Sequence, residues 1–515
     1  MTQQDNTLGR SRLWGEITAF LALFFDNVGT MIFFSAILIF TFGYPADIIL
    51  TRMIPGTAVG IFLGDLIYTW LALRLARKTG RRDVTAMPLG IDTPSTIGIA
   101  YAVLGPAWLA TQDAILTWQI GMATLFMIGG IKIIVSFFGN AIQRIIPTAG
   151  LLGSIAGVGL LLLGFLPLVE LFTAPVAGLA AMGLIFAALF AGLHPAGRLN
   201  GVLTAVVFGT AAHFALGYFG LASEFKAPAL ELSFSLPAFS LAFLTTLPQS
   251  IQYLTLAVPF GILTIIGGIN NTESARLAGD HYRTRDILLT EAFTSLIASF
   301  FGGVAQTTPY IGHPAYKKMG ARWGYTLATG LCVGAGSVVG LLALFVGTIP
   351  RAVIAPILIF IGFEIVHQAY RESPPQHSPA VSFAFLPVIA SLVMIILGQF
   401  TGAAGISPDQ LPTHLKTMHA SLLMLSNGFI VTGLLWGSLL AFLIDQKPNR
   451  AAGCAACCGV LTLFGIIHSI LPSGALYLPW RIDSGLHLSV AAAYFVLAAV
   501  LLIGKPTSRG KERAL

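Results

Sequence analysis

GILTIIGGINNTESARLAGDHYRTRD, residues 261–286, followed after one apolar run by FFGGVAQTTPYIGHPAYKKMG, residues 300–320, is the stretch on which the fold turns. Inside oily sequence it sets Asn270, Asn271, Glu273, Ser274, Arg276 and Asp280. It then sets Gln306, Thr307, Thr308, Tyr310 and His313 among Pro309, Gly312 and Pro314. Ionisable groups at membrane depth are costly and face a bundle interior or a wet cavity. Helix-breaking Pro and Gly survive at that depth only where irregular backbone is buried or lines a cavity. The pattern points to a transport site.

The rest of the chain fits that reading. It has 515 residues, 56% hydrophobic and only 10% charged, where a soluble domain is about a quarter charged. Roughly sixteen apolar segments recur, near 16–41, 53–76, 84–110, 115–138, 145–168, 174–194, 200–220, 248–279, 287–303, 305–320, 324–348, 352–369, 378–400, 421–445, 453–472 and 485–504. The expectation is an all-α polytopic membrane protein. The first apolar run is too long for a cleaved signal and is expected to remain as a span. The net charge of +7 comes from basic residues in short loops, so a membrane orientation signal explains it better than a nucleic-acid surface. On one side, only Arg52, Lys226, Arg351, Lys416 and Arg481 are counted. That bias predicts cytoplasmic termini and an inner-membrane location. Cys454 and Cys457 form a C-x-x-C without partners at zinc spacing, so neither a metal nor a cofactor is expected.

Two halves echo each other. FFDNVGT (Phe24–Thr30) in the first segment matches GINNTES (Gly268–Ser274) in the eighth, and VTAMPLGIDTPS (Val84–Ser95) in the third matches VAQTTPYIGHPA (Val304–Ala315) in the tenth. Seven spans separate the members of each pair, an odd number, so the second unit is inverted. Paired interrupted segments in two halves are the best sequence pointer to a secondary transporter's midplane site. The expected organisation is two inverted seven-span repeats, residues 1–220 and 248–445, joined by an external connection over 221–247. Short strands are expected to break spans three and ten, and an extra hairpin with a basic tail fills 446–515. The connection is read as a short strand or an interfacial helix.

Within this frame Glu273 is the first candidate for substrate and proton binding, with an i+3 ion pair to Arg276 as the alternative. Asp280 is read as an end-of-span residue pairing with Arg276 or Arg283. Asp92 and Thr93 stand at the third-segment break, either as ligands or as a helix N-cap. Thr307, Thr308, Tyr310, Gly312 and His313 stand at the tenth. Asn270 and Asn271 complete the candidate binding set, and His313 and Asp26, beside Asn27, are further proton-coupling candidates. No nucleophile stands at recognisable spacing, so an enzyme is not expected.

These motifs resemble those of the nucleobase–ascorbate (xanthine/uracil/purine) permeases. NNTESARLAGD is similar to that family's eighth-span acidic motif, FFGGVAQTTPYIGHP to its tenth-span opening, and GRRDVTAMPLGIDTPS to the third-span opening of its purine branch. The resemblance covers roughly residues 14–445. It implies fourteen spans in two inverted repeats, a core domain moving elevator-fashion past a dimerising gate, and uptake of a planar base by proton symport. Glu273 would be the base-binding, proton-linked carboxylate. Thr308 and its neighbours, and Asp92 with Thr93, would be the strands facing the base. Many members carry a second Glu after the Thr-Thr pair, where this chain has Ile311, Gly312 and His313. The implied partners are a nucleobase-like substrate, a coupling proton or cation, the bilayer and a second copy of the chain. The rival reading is an anion transporter or exchanger of the sulfate or bicarbonate sort, with paired helix N-termini and Arg276 holding the anion.

Overall fold

A computed structural model describes residues 3–138, 146–193, 201–221, 234–310, 312–472, 474–482 and 484–503. The chain is a multi-pass helical membrane protein. Among the described residues eight helices are long and apolar enough to cross a bilayer, or up to nine if a pair bent by 76° at Asn427–Gly428 is one span. That is fewer than the apolar segments in the sequence. Several of those segments are shorter helices, such as Pro175–Ala188 and Thr204–Tyr218, and others are broken by design of the backbone.

The two broken segments are the expected ones. Their strands form a two-stranded antiparallel sheet, β1 (Leu89–Ile91) with β2 (Thr307–Pro309), in the register Leu89↔Pro309, Gly90↔Thr308 and Ile91↔Thr307. Antiparallel pairing of equivalent strands is what inversion of the second repeat requires. Asp92 N donating to Gln306 O and Tyr310 N to Pro88 O, each at 2.9 Å, close the ladder. Pro88, Pro94 and Pro309 keep the strands this short, since proline donates nothing to a ladder. After β1 comes a short helix, Thr93–Ile99, then a π-helical turn, Ala100–Leu104, then Gly105–Thr111. After β2 comes the single helical turn His313–Lys318.

The chain divides into two compact units, and each draws on both sequence halves. The first comprises Met1–Gly139, Pro167–Ser250 and Phe260–Ile357. It contains α1 (Gln3–Ala36), α2 (Ile54–Thr79), β1, α3 (Thr93–Ile99), α4 (Ala114–Ser136), most of α5 (Leu254–Leu277), α6 (Thr284–Phe300), β2, α7 (His313–Lys318) and α8 (Gly324–Val338). α2 packs closely on its neighbours because Gly56 meets the backbone of Phe301–Gly303, and Gly60 faces Ala298 of α6 and Thr307 of β2. Asp65 of α2, fully buried, lies against Gly330 of α8.

The second unit comprises Asn140–Leu166, Ile251–Pro259 and Leu358–Leu515. Small residues again set the approach: Gly150 and Ser154 of Thr148–Val158 meet Gly437, Ser438 and Gly433 of Phe429–Ile444. The C-terminal hairpin is Pro448–Leu463 packed on Leu486–Ile503, with Gly459 against the Phe495 ring. At its loop, the Tyr494 hydroxyl accepts from Trp436 Nε1 and bonds His468 Nε2, both at 2.8 Å.

The loop count of basic residues needs correcting. Arg74, Lys132 and Arg276 sit within helices, and Lys132 is wholly buried, so not every lysine and arginine is an orientation signal. Of the connection over 221–247, residues 222–233 lie outside the described residues, as does the basic tail beyond 503; residues 242–246 form a 3₁₀ turn.

Candidate functional site

The site is the sheet where the two broken segments cross, and every neighbouring element of the first unit supplies it with a polar hand. From α1, fully buried Asn27 donates to Leu23 O (2.9 Å) and accepts the Ile91 N–H of β1 (3.0 Å). One turn on, Thr30 Oγ1 meets Thr93 Oγ1 at 3.0 Å. The Tyr310 hydroxyl donates to Ile91 O at 3.0 Å, with the Asp26 carboxyl as a further polar neighbour. Gly90 is a glycine for steric cause: a Cβ there would lie inside the Tyr310 ring.

Asp92 takes the N-cap role. Its carboxylate accepts from Ser95 N (3.0 Å) and from Gln306 Nε2 (3.3 Å), tying the start of α3 to the other broken segment. From α5, Asn271 donates to Pro309 O at 2.5 Å, and Thr264 reaches Gln306 Oε1 at 3.4 Å. From α6, Thr294 Oγ1 meets Thr307 Oγ1 at 2.8 Å, and Ser295 Oγ accepts from Thr307 N at 3.1 Å.

A charged pair lies directly beneath β2. Lys132 of α4, 0% exposed, donates to Thr307 O at 2.7 Å. Its Nζ stands 3.6 Å from Glu291 Oε2 of α6, also 0% exposed. That is an ion pair too long to be a hydrogen bond. Neither Glu291 oxygen has a well-formed hydrogen bond among the described residues; Thr308 and Lys132 are its polar neighbours. Neither residue was among the sequence candidates. The signal was present: a lone lysine in AILTWQIGMATLFMIGGIKIIVS and a lone glutamate in α6 are the costly intramembrane charges that mark function.

Asp26, Asp92, Thr93, Asn271, Thr307, Thr308 and Tyr310 thus converge on the crossing. Glu273 and Asn270 do not. The Glu273 side chain is 52% exposed and holds Arg276 in a two-pronged ion pair, the alternative considered for it. The cause is helical phase. Thr264, Gly268, Asn271 and Ala275 form the inward stripe of α5, and Glu273 lies about 200° round from Asn271.

His313 and Gly312 belong to the neighbouring turn. His313 is buried, with Nε2 3.1 Å from Thr85 O and 3.3 Å from Asp280 Oδ2. Asp280, expected to pair with Arg276 or Arg283, is instead the hub of a lock at the mouth of both broken segments. It accepts from Thr85 N (3.0 Å) and Lys317 Nζ (2.7 Å), with Arg81 Nη2 at 3.3 Å. Burial pushes its carboxyl pKa up, but the hydrogen bonds from His313, Lys317 and Thr85 prevail and hold it below the ordinary value. Asp83 beside it is lowered to about 2 by its hydrogen bond from Arg81.

No family model matches the sequence, and no curated protein does. Solved structures do match. The overall structure of SLC26A9 aligns over 77% of this chain and 66% of its own, about two thirds, at 12% identity and a TM-score of 0.51. The transmembrane domain of the cyanobacterial bicarbonate transporter BicA aligns over 76% and 96% at 17% identity, TM-score 0.48. Murine Slc26a9, an anion transporter in the inward-facing state, aligns over 83% and 68% at 12% identity, TM-score 0.49. The likeness to SLC26A9 shows the fold: this chain shares that helical membrane architecture. It also corrects the resemblance to nucleobase–ascorbate permeases, since the structure whose fold is shared is SLC26A9. The motifs that carried the resemblance, TTPYIGHP and MPLGIDTPS, are the strand–helix breaks themselves, which the fold demands whatever the cargo.

Proposed function

We propose that the protein is a secondary transporter of a small inorganic or carboxylate anion, coupled to protons, and not an enzyme. The observation that carries this reading is Lys132: a fully buried ammonium on α4 bonded to β2 at the crossing of the two broken segments, in a fold shared with SLC26A9. Thr93, Thr308 and Asn271 line the same crossing and offer neutral hydrogen-bonding groups to an anion's oxygens.

Coupling to protons follows from the charge count at the site. Asp26, Asp92 and Glu291 outnumber Lys132. At an effective dielectric near 20, one carboxylate about 7 Å from a bound anion costs about 2 kcal/mol. An anion therefore enters more readily with a proton than without one. Elevator-type movement of the site-bearing unit would carry both across the inner membrane, in a homodimer with cytoplasmic termini. Anion-induced thermal stabilisation of the purified protein tests the reading. Chloride, bicarbonate, sulfate or a small carboxylate should raise the melting temperature, more so at pH 5.5 than at pH 8. A panel in which no anion stabilises at either pH refutes it.

A further inference from the structure

The Lys132–Glu291 pair has no structural need to be there. Both side chains are fully buried on facing helices, where an apolar pair of similar volume commonly serves as well or better. It is also incompletely made. Lys132 donates to the Thr307 carbonyl of β2 at 2.7 Å while its Nζ stands 3.6 Å from Glu291 Oε2, and the Glu291 oxygens are left without well-formed donors. A salt bridge built only to hold helices would close that gap.

We propose that Glu291 is the seat of the coupled proton, and that its protonation releases the charge of Lys132 to the transported anion. The inference rests on the proposed function. With Glu291 ionised, the pair is neutral overall and the crossing offers an anion no net attraction. A proton on a Glu291 oxygen removes the nearest compensating charge from Lys132, whose ammonium stays fixed to β2, one peptide from Thr308. That state is unfavourable alone in a low-dielectric interior, and a bound anion relieves it. Proton and anion therefore stabilise each other's binding by the same factor. Release of one on the far side promotes release of the other. No bond other than the O–H of the carboxyl forms or breaks.

The surroundings of Glu291 fit a proton switch. α4 presents Lys132. The broken segments present the Asp92 carboxylate and the Thr308 hydroxyl. α2 presents Tyr68, whose hydroxyl is engaged with Ile287 O. α5 presents Gly268, whose missing side chain leaves room at Glu291 Oε1.

The test is anion binding and uptake by the full-length protein in proteoliposomes, with Glu291→Gln, Glu291→Asp and the doubly neutral Lys132→Met/Glu291→Gln. Wild type should bind the anion about 5- to 150-fold more tightly when Glu291 is protonated than when it is ionised. Glu291→Gln should bind tightly at all pH values and exchange anion for anion, yet lose accumulation driven by a proton gradient. The double variant should fold and bind no anion. Glu291→Asp keeps the titration and reports whether failure of the Gln variant is only misfolding. Wild-type proton-driven accumulation in Glu291→Gln overturns the proposal. Infrared difference spectra separate its fate from that of the anion reading. A carboxylic C=O band that titrates in wild type and vanishes in Glu291→Gln upholds the proton seat even if every anion fails. An unchanged band in the variant overturns it.

Discussion

Replacing Asp280 by Asn probes the lock that fixes both broken segments. The substitution keeps shape and removes charge, while one carboxylate oxygen becomes an NH₂ facing donors. Asp280 is fully buried and accepts from Thr85 N and Lys317 Nζ, with His313 Nε2 and Arg81 Nη2 each 3.3 Å away. Breaking a buried pair by removing one partner costs about 3–5 kcal/mol. Here Lys317 and Arg81 are 18% and 35% exposed and regain water, so about 2–3 kcal/mol is expected. For a unit of this size that is a fall of roughly 4–6 °C in apparent melting temperature. The assay is thermal unfolding in detergent at a fixed scan rate. The pH dependence carries a sign. Asp280's folded pKa lies below its ordinary value of 3.8, so its contribution is complete above that value and lost as pH falls through the folded one. The gap between wild type and Asp280→Asn should therefore be constant at neutral pH and shrink under acid. A shift below about 1 °C, or a gap that widens in acid, refutes the assignment of Asp280 as the hub.

Four further outcomes follow from the same geometry. Asn27→Ala leaves the buried Ile91 N–H without its acceptor and should cost about 1–3 kcal/mol, with impaired transport; wild-type melting and uptake would contradict it. Gly56→Val drives a side chain into the Phe301–Gly303 backbone, so folded yield should collapse, measured by monodisperse fraction on size exclusion. Glu273→Gln breaks an exposed, solvent-screened pair and should keep both stability and proton-driven uptake; lost uptake would restore Glu273 to the site. Tyr494→Phe orphans Trp436 Nε1 and His468 Nε2 at the hairpin, costing about 1–2 kcal/mol and shifting tryptophan emission.

The breaks were legible because Pro and Gly have few uses at membrane depth. MPLGIDTP and AQTTPYIGHP marked both strands and their correspondence in the two halves; that the two pair with each other came from the structure. Asp26, Asn27 and Asp92 were legible as polar residues in apolar runs. What misled was phase. NNTES reads as one cluster in sequence, but on a helix Asn271 faces β2 while Glu273 faces outward. The inward spacing of Thr264, Gly268, Asn271 and Ala275 carried that information. The Lys132–Glu291 pair was harder to read, because its members lie on separate helices with no local motif and only the tertiary fold joins them. Cargo was not legible at all from the breaks, since backbone irregularity records the architecture and not the ligand.

The most direct test of the central claim is uptake of a labelled panel of chloride, bicarbonate, sulfate, small carboxylates and hypoxanthine into proteoliposomes, with and without an inward proton gradient. At one-to-one coupling, a gradient of one pH unit should drive about tenfold accumulation of at least one anion, and hypoxanthine should not accumulate. Accumulation of hypoxanthine with every anion excluded would contradict the account.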